Sequence, residues 1–420
     1  MVKKKLLYSC FVFVWLCGTG LADTVNIGLN YPKTGPYSLQ GLAQLKTAQM
    51  AVEEINETGG IKDSKIRLVI RDTKSKADLS KKNVEYLIDN EKCAMIFGGS
   101  SSAVAIAGGK AAKSRDTIYF GTLTASNTTT CEDGHKYMFR EYYNAWMGAR
   151  VLSKYLREKY LAGKKYFYIT ADYSWGHTTE ASIRKFSNTS SKRRHKGSLT
   201  PFPGATEDDF RNALKKVEKA KPDVLVLVLF GKDMATALKL ADSMGIKQKM
   251  KGVVVPILTL GSVQSVGAKA MEGVIGTVAW CWEVPYIYNY ETGKKFVEKF
   301  AEKYGSYPSQ GAATAYTILY QYKDAVERAG TFDTKKVIAS LEGHKFSLLK
   351  DEQMWRKFDH QNVQTVYAVK CKPEREVMED KFRQDYFEIV EKMSGDEAAR
   401  DKYNWTRARS VAGKPDELEW

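Results

Sequence analysis

The chain predicts an α/β fold of two lobes, each a central parallel sheet flanked by helices, and three observations predict it. Apolar, β-rich runs alternate with stretches of helical spacing along most of the chain. The run "VLVLVLF" at 224–230 is apolar at every position, as a parallel strand covered on both faces requires. The alternation also runs twice, over roughly 24–140 and 141–255, before a further strand and helix region. Two lobes suit a chain of 420 residues, which is too long for one ordinary core. Its 43% hydrophobic and 12% aromatic content belongs to a packed chain, not a disordered one.

Residues 1–22 are a different material. Basic "MVKKK", apolar "LLYSCFVFVWLC" and small "GTGLA" make a secretory leader cleaved after Ala22. It is too short and wrongly flanked for a membrane span, and no later stretch approaches the roughly 20 apolar residues a span needs. Leu16 before Cys17 disfavours a lipoprotein signal. The mature chain is therefore expected to be soluble and exported to the periplasm.

Strands are expected at "VNIGL", "IRLVI", "AMIF", "TIYF", "KYFYI", "VLVLVLF", "GVVV" and "TVYAV". In the first helix, Leu42, Leu45, Ala48, Val52 and Ile55 recur at steps of three and four, and Gly59–Gly60 ends it. A later helix opens at Thr206 as its cap, carries acids in its first turn and stops before Pro222. An aromatic helix, "AATAYTILYQYKDAVERAG", follows the second lobe's strands. After Pro373 the chain becomes highly charged and reads as a surface-wrapping tail with one amphipathic helix at best.

The net charge of +16 includes the leader's three lysines. The remaining cations lie along helical faces beside acids, and the densest cluster, "SSKRRHKGS" at 190–198, has no interleaved aromatics. That excludes nucleic acid as a partner. Two of six cysteines fall in the leader, and Cys93, Cys131, Cys281 and Cys371 are too scattered for a disulfide framework, so buried thiols are expected.

The stretch "FGGSSSAVAIAGGKAA" at 97–112 runs from a strand through glycines and serines into a helix. It reads as a plain helix cap, or as a seat for a small anion held by hydroxyls and backbone N–H groups. Catalysis finds no support. "GGSSSA" lacks the second glycine of a nucleophile elbow, and none of the five histidines sits in a motif that names a base. "CEDGH" offers Cys131 and His135 as two metal ligands, with no others at zinc spacing. "GGKAAKS" fails the phosphate-loop spacing. The chain is read as a non-enzyme with no catalytic residue, metal or cofactor.

Seven segments in order carry a family resemblance: "VNIGLNYPKTGPYSLQG", "AVEEINETGGI", "MIFGGSSSAVAIA", "IYFGTLTASNTT", "ADYSWGHTTEAS", "KPDVLVLVLFGKDMATALKLADSMG" and "WRKFDHQNVQTVYAVK". Over nearly all of its mature length the chain resembles the type I periplasmic substrate-binding proteins of branched-chain amino acid and amide ABC transporters, such as the leucine/isoleucine/valine-binding proteins. The resemblance implies two Rossmann-like lobes joined by three hinge crossovers. It also implies a monomeric carrier that closes on a small ligand, a carboxylic acid, amide or amino acid, and delivers it to a membrane permease. The same fold without a permease would serve a soluble ligand sensor, the second reading.

The lobes implied are 23–140 with 258–345, and 141–257 with 346–372, leaving 373–420 as the tail. The family's ligand carboxylate maps onto Ser101, Ser102, Thr124, Ala125 and Ser126. Trp175, with Tyr173 nearby, takes the place of the family's aromatic wall. Tyr37 and Gln40 lie in the first turn, and Phe230 ends the buried strand at the cleft edge. One departure stands out: the loop "VVVPILTLGS" has Pro256 and Ile257 where amino-acid-binding members carry an acid, and no acid follows until Glu272. A buried ammonium without a counter-charge is costly, so an acid or amide with an apolar or aromatic tail is favoured over an α-amino acid.

Overall fold

The β-rich runs of the first lobe become five parallel strands in the computed structural model, which describes residues 23–159 and 161–420. The leader assigned to 1–22 lies outside the described residues. These strands are β1 (Thr24–Tyr31), β2 (Lys65–Asp72), β3 (Met95–Gly98), β4 (Ile118–Gly121) and β5 (Met138–Arg140), ordered β2-β1-β3-β4-β5. Helices α1 (Ser38–Glu57), α2 (Ala77–Asp89) and α3 (Ser102–Lys113) connect them.

The second lobe contains β6 (Tyr166–Ala171), β7 (Lys196–Thr200), β8 (Val224–Val228), β9 (Gly252–Val255) and β10 (Ile275–Val278). Its first helices are α4 (Ala145–Glu158), α5 (Ser174–Phe186), α6 (Glu207–Ala220) and α7 (Gly231–Ser243). A small sheet, β11 (Lys345–Phe346), β12 (Gln353–Trp355) and β13 (Asn362–Val363), precedes β14 (Val366–Cys371) and β15 (Phe387–Met393). The large sheet runs β15-β14-β10-β9-β8-β6-β7. Every residue of β8 is buried, as its unbroken apolar run requires.

Local signals were read correctly at α6, where Thr206 and Asp209 form a capping box and the left-handed Lys221 ends the helix before Pro222. The apolar stripe of α1 holds at Ala48 and Ile55, but Leu42 is 50% exposed, so the stripe stops short of the first turn. The aromatic helix spans Gln310–Ala329 and lies against α1.

The expected lobe boundaries need correction. Ile275–Val278, placed with the first lobe by the 258–345 assignment, pairs with β9 and β14 in the second sheet. Conversely, Trp355 packs on Phe120 and Phe139 of the first sheet, although 346–372 was assigned to the second lobe. The chain therefore changes lobes near 141–144, 279–282 and 361–366. Lys350 ties two of these crossings by donating to the carbonyls of Ala279 and Thr365. Gln364 donates to the Glu141 carbonyl, and Gln361 to that of Tyr142 at 2.8 Å, which ties in the other.

The tail is more than a surface wrapping. Phe387–Met393 adds an edge strand to the second sheet, and helix Lys402–Val411 buries Trp405 and Arg409. Trp405 Nε1 donates to the Thr130 carbonyl at 2.9 Å, and the Arg409 guanidinium, with no exposed surface, donates to the carbonyls of Cys131, Gly134, Pro415 and Glu417. Cys93, Cys131, Cys281 and Cys371 are all buried free thiols. Removing the guanidinium leaves several buried carbonyls unpaired. Arg409→Ala should therefore lower unfolding free energy by about 3 kcal/mol, read from the urea midpoint at unchanged slope. A change within about 0.5 kcal/mol, typical of a surface site, would show the tail undocked.

Candidate functional site

The loop after β3 is shaped by glycine. Gly98 has φ +144°, and a Cβ there would meet the Asn30 carbonyl oxygen at 2.0 Å, so only glycine brings the chain this close to β1. Three serines follow. Ser101 takes the N-cap position of α3, yet its side chain makes no capping bond, and its buried hydroxyl has no partner among the described residues. Ser102 is the first helical residue, and its hydroxyl accepts from Ser126 N at 3.0 Å and from Thr124 Oγ1 at 3.2 Å. Neither serine is a plain helix cap. The first N–H groups of a helix have no partner within it and carry partial positive charge.

A small cavity, about 10 Å³ as the lobes stand, lies against these serines. Ser101, Ser102, Ala125, Tyr173, Trp175 and Phe230 line it, together with Ser100, Leu123, Tyr142 and Ile257. Its polar face comes from the first lobe, and Tyr173, Trp175, Phe230 and Ile257 of the second lobe cover the other side. Among the described residues, no lysine, arginine or carboxylate lines it. The buried Arg140 lies behind, donating to the Ser126 carbonyl, to Thr130 Oγ1 at 2.7 Å and to Gln361 Oε1 at 2.7 Å.

Four expected residues stand off the cavity. Thr124 supports Ser102 and bonds Thr129 Oγ1 at 3.0 Å. Ser126 turns its hydroxyl to the opposite lobe, where it accepts from Ser174 Oγ at 2.7 Å. Gln40 donates to Ser262 Oγ at 2.7 Å and to Thr259 Oγ1 at 3.1 Å, a lobe-to-lobe contact remote from the serine loop. Tyr37 pairs hydroxyls with Tyr173 at 3.1 Å and stacks on Phe202 at 5.7 Å between centroids. With Asn127 Nδ2 donating to Ser182 Oγ at 3.0 Å, these contacts hold the lobes closed.

Sequence reasoning missed Tyr142, Leu123 and Phe202. Tyr142 sits in "REYYNAW", directly after β5 at the first crossing, and that position is its only signal. Phe202 stacks on Tyr173 at 4.1 Å from a loop with no motif. Asp233, in the first turn of α7, was also passed over. Burial pushes its carboxyl up to about 6, and its charge acts on the Tyr37 and Tyr173 hydroxyls. It is the acid of this lobe beside the aromatic mouth, though it does not line the cavity.

The sequence model of a family described as "Periplasmic binding protein" matches residues 24–376. The chain belongs to that family. A relative, the Leu/Ile/Val-binding protein homolog 4 of Brucella melitensis, is 23% identical over 354 residues, spanning 81% of this chain and 82% of that one. A periplasmic binding protein from Burkholderia mallei has the same fold at TM-score 0.80 and 24% identity, covering 91% of this chain and 98% of its own. A solute-binding protein of an ABC transporter from Rhodopseudomonas palustris, in complex with 3,4-dihydroxybenzoic acid, matches at TM-score 0.74 and 18% identity over 89% of this chain and 98% of its own. Members of the family are binding proteins rather than enzymes. Among the described residues of this periplasmic binding protein, no helix is long and apolar enough to cross a membrane.

The contact between the lobes leaves no room for a side chain at one glycine. Gly231 has φ +59°, and a Cβ there would meet the Pro36 carbonyl oxygen and the Tyr37 ring at 2.7 Å. Gly231→Ala should leave the protein folded but open, with a larger radius of gyration by small-angle scattering. Gly245→Ala controls for backbone strain, having φ +67° and open space around it. Equal scattering from both variants would show that Gly231 does not gate closure.

The hinge also titrates. Burial pushes Glu141 up to about 7, against the pull of Lys350 and a hydrogen bond from Asn362, and pushes Lys350 down to about 8. Between the ordinary 4.5 and about 7 the folded chain keeps a proton on Glu141 that the unfolded chain has released. Stability therefore falls as pH rises through that window. Glu141→Gln should flatten the melting-temperature profile across it and exceed the parent above it. Parallel profiles would mean that Glu141 ionises normally in the folded protein.

Proposed function

We propose that this protein is the extracytoplasmic solute-binding component of an ABC importer. It captures a small solute with a carboxylate or amide head and an apolar or aromatic body, closes on it by hinge rotation, and hands it to a membrane permease. The periplasm, the family's usual compartment, is the expected site. The observation that carries the reading is the buried, unpartnered Ser101 hydroxyl at the N-terminus of α3, in a cavity whose far side is aromatic. Partial positive charge and donors without a cation suit a small anion or amide that must later be released.

Names of relatives point to leucine, isoleucine and valine. Against an α-amino acid stands a lining without a carboxylate, since Asp233 lies outside it and burial favours its neutral form. The head group is proposed to rest on Ser101, Ser102 and the α3 N–H groups, with Ala125 beside them. Thr124 and Ser126 brace that seat, and Tyr37 and Gln40 latch the lobes.

Native mass spectrometry of the purified protein should reveal a co-purified solute, and a thermal-shift screen of acids, amides and amino acids should rank its class. Ser101→Ala and Ser102→Ala should each weaken an acid ligand by about 1–3 kcal/mol in calorimetry. Unchanged affinity in both would misplace the site. Leucine or valine binding well below micromolar would remove the preference for acids and amides.

A further inference from the structure

Three buried polar atoms without partners among the described residues belong to side chains that line the same cavity: Ser101 Oγ, Tyr142 Oη and Trp175 Nε1. They come from three elements: the head of α3, the first crossing and the first turn of α5. Interior polar groups are nearly always paired, so three orphans around one small cavity mark where a guest's atoms would complete them. The carboxylate proposed for the head can occupy Ser101, the remaining hydroxyl hydrogen of Ser102 and the helix N–H groups. Trp175 lies on the opposite lobe, and its indole N–H can only donate. A phenyl ring would serve equally well as an apolar wall, and Phe230 and Tyr173 already supply one.

We propose that the solute carries a second oxygen on its apolar body, a hydroxyl or carbonyl that accepts from Trp175 Nε1 and is completed by Tyr142 Oη. The ligand class is then a hydroxy- or oxo-substituted carboxylic acid, an inference that rests on the solute-binding reading above. Closing the lobes over an unsubstituted acid seals a dry donor against carbon. Closing over the oxygenated acid pairs it. A site built to hydrogen-bond a substituent rejects the analogue lacking it far more strongly than an apolar site selects by size. Trp175 thus acts as a specificity determinant that couples recognition to closure, because its partner reaches it only when the second lobe folds down.

Calorimetric titration of the mature protein with matched acids tests this: benzoate against 4-hydroxybenzoate, 3-phenylpropanoate against its 4-hydroxyphenyl analogue, and hexanoate against 5-oxohexanoate. In at least one pair the oxygenated member should bind about tenfold more tightly or better. Trp175→Phe should abolish that preference, weakening the oxygenated acid by about tenfold more than its unsubstituted mate. If Trp175→Phe fails to fold, Tyr142→Phe, which removes one atom, reads the same preference. Equal affinity within every pair, or a preference that survives both variants, overturns the inference. If neither kind of acid binds, and amides and amino acids are equally inert, the solute-binding reading itself fails and takes this one with it.

Discussion

When two lobes close on each other, hydroxyls and aromatic edges that water solvated in the open form must find partners in the seam. The rest of this structure depends on that matching. Tyr37 meets Tyr173, Ser174 donates to Ser126, and Gln40 donates its amide to Thr259 and Ser262, so hydroxyl and amide contacts join the lobes. Such pairs are individually weak and exchange readily with water. A seam made this way would let the lobes part and meet without a large barrier. It is also specific in geometry, because a Cβ at Gly231 would hold the lobes apart.

The crossings would allow that motion without disturbing either sheet. Lys350, fully enclosed, takes its partners from two crossings, and Gln361 and Gln364 tie the third to them. Buried charge is expensive, and burial shifts Lys350 and Glu141 toward their neutral forms. Such a network ties the three crossings together, so under the proposed closure rotation would concentrate in the short segments around it. The tail adds a further constraint. Trp405 and Arg409 grip the backbone of Thr130, Cys131 and Gly134, which continues directly from the loop that carries Ser126. The serine seat is thus braced from behind by a segment that lies beyond the stretch the family model matches.

Much of this was legible in the sequence, for reasons that differ by element. The strand pattern of β1 to β4, β6, β8, β9 and β14 follows from short runs rich in β-branched and aromatic residues, set between helical stretches. β10 was missed because Ile275–Val278 interrupts its run with Gly and Thr, and the first-lobe boundary was misplaced with it. β7 was missed because it is an exposed edge strand whose sequence, "KGSLT", has almost no apolar signal. The serine loop was found through its glycines, since Gly98 and Gly99 take backbone angles that few other residues tolerate. Tyr142, Phe202 and Asp233 were invisible for a common reason: each reaches the cleft only through the mutual placement of the lobes, which no local pattern encodes. Thr124 and Ser126 show the converse. They lie in the loop beside the cavity, but a one-residue offset in a tight loop decides whether a hydroxyl faces the cavity or supports a neighbour.

That offset explains how the site can do without a cation. Arg140 is buried behind the loop, and its donors go to the Ser126 carbonyl, Thr130 and Gln361. Its burial pulls the guanidinium down to about 9, a sign of how poorly that interior solvates charge. Used in this way, it stiffens the loop rather than pairing with a guest. The proposed seat is left with hydroxyls and helix N–H groups, which would hold an acid or an amide with similar geometry and give it up more easily than a salt bridge would. Selectivity must then come from the far side of the cavity, where aromatic faces exclude water and each unmatched polar atom counts. In a pocket without charges, the number and position of such atoms determine which solutes can close the lobes.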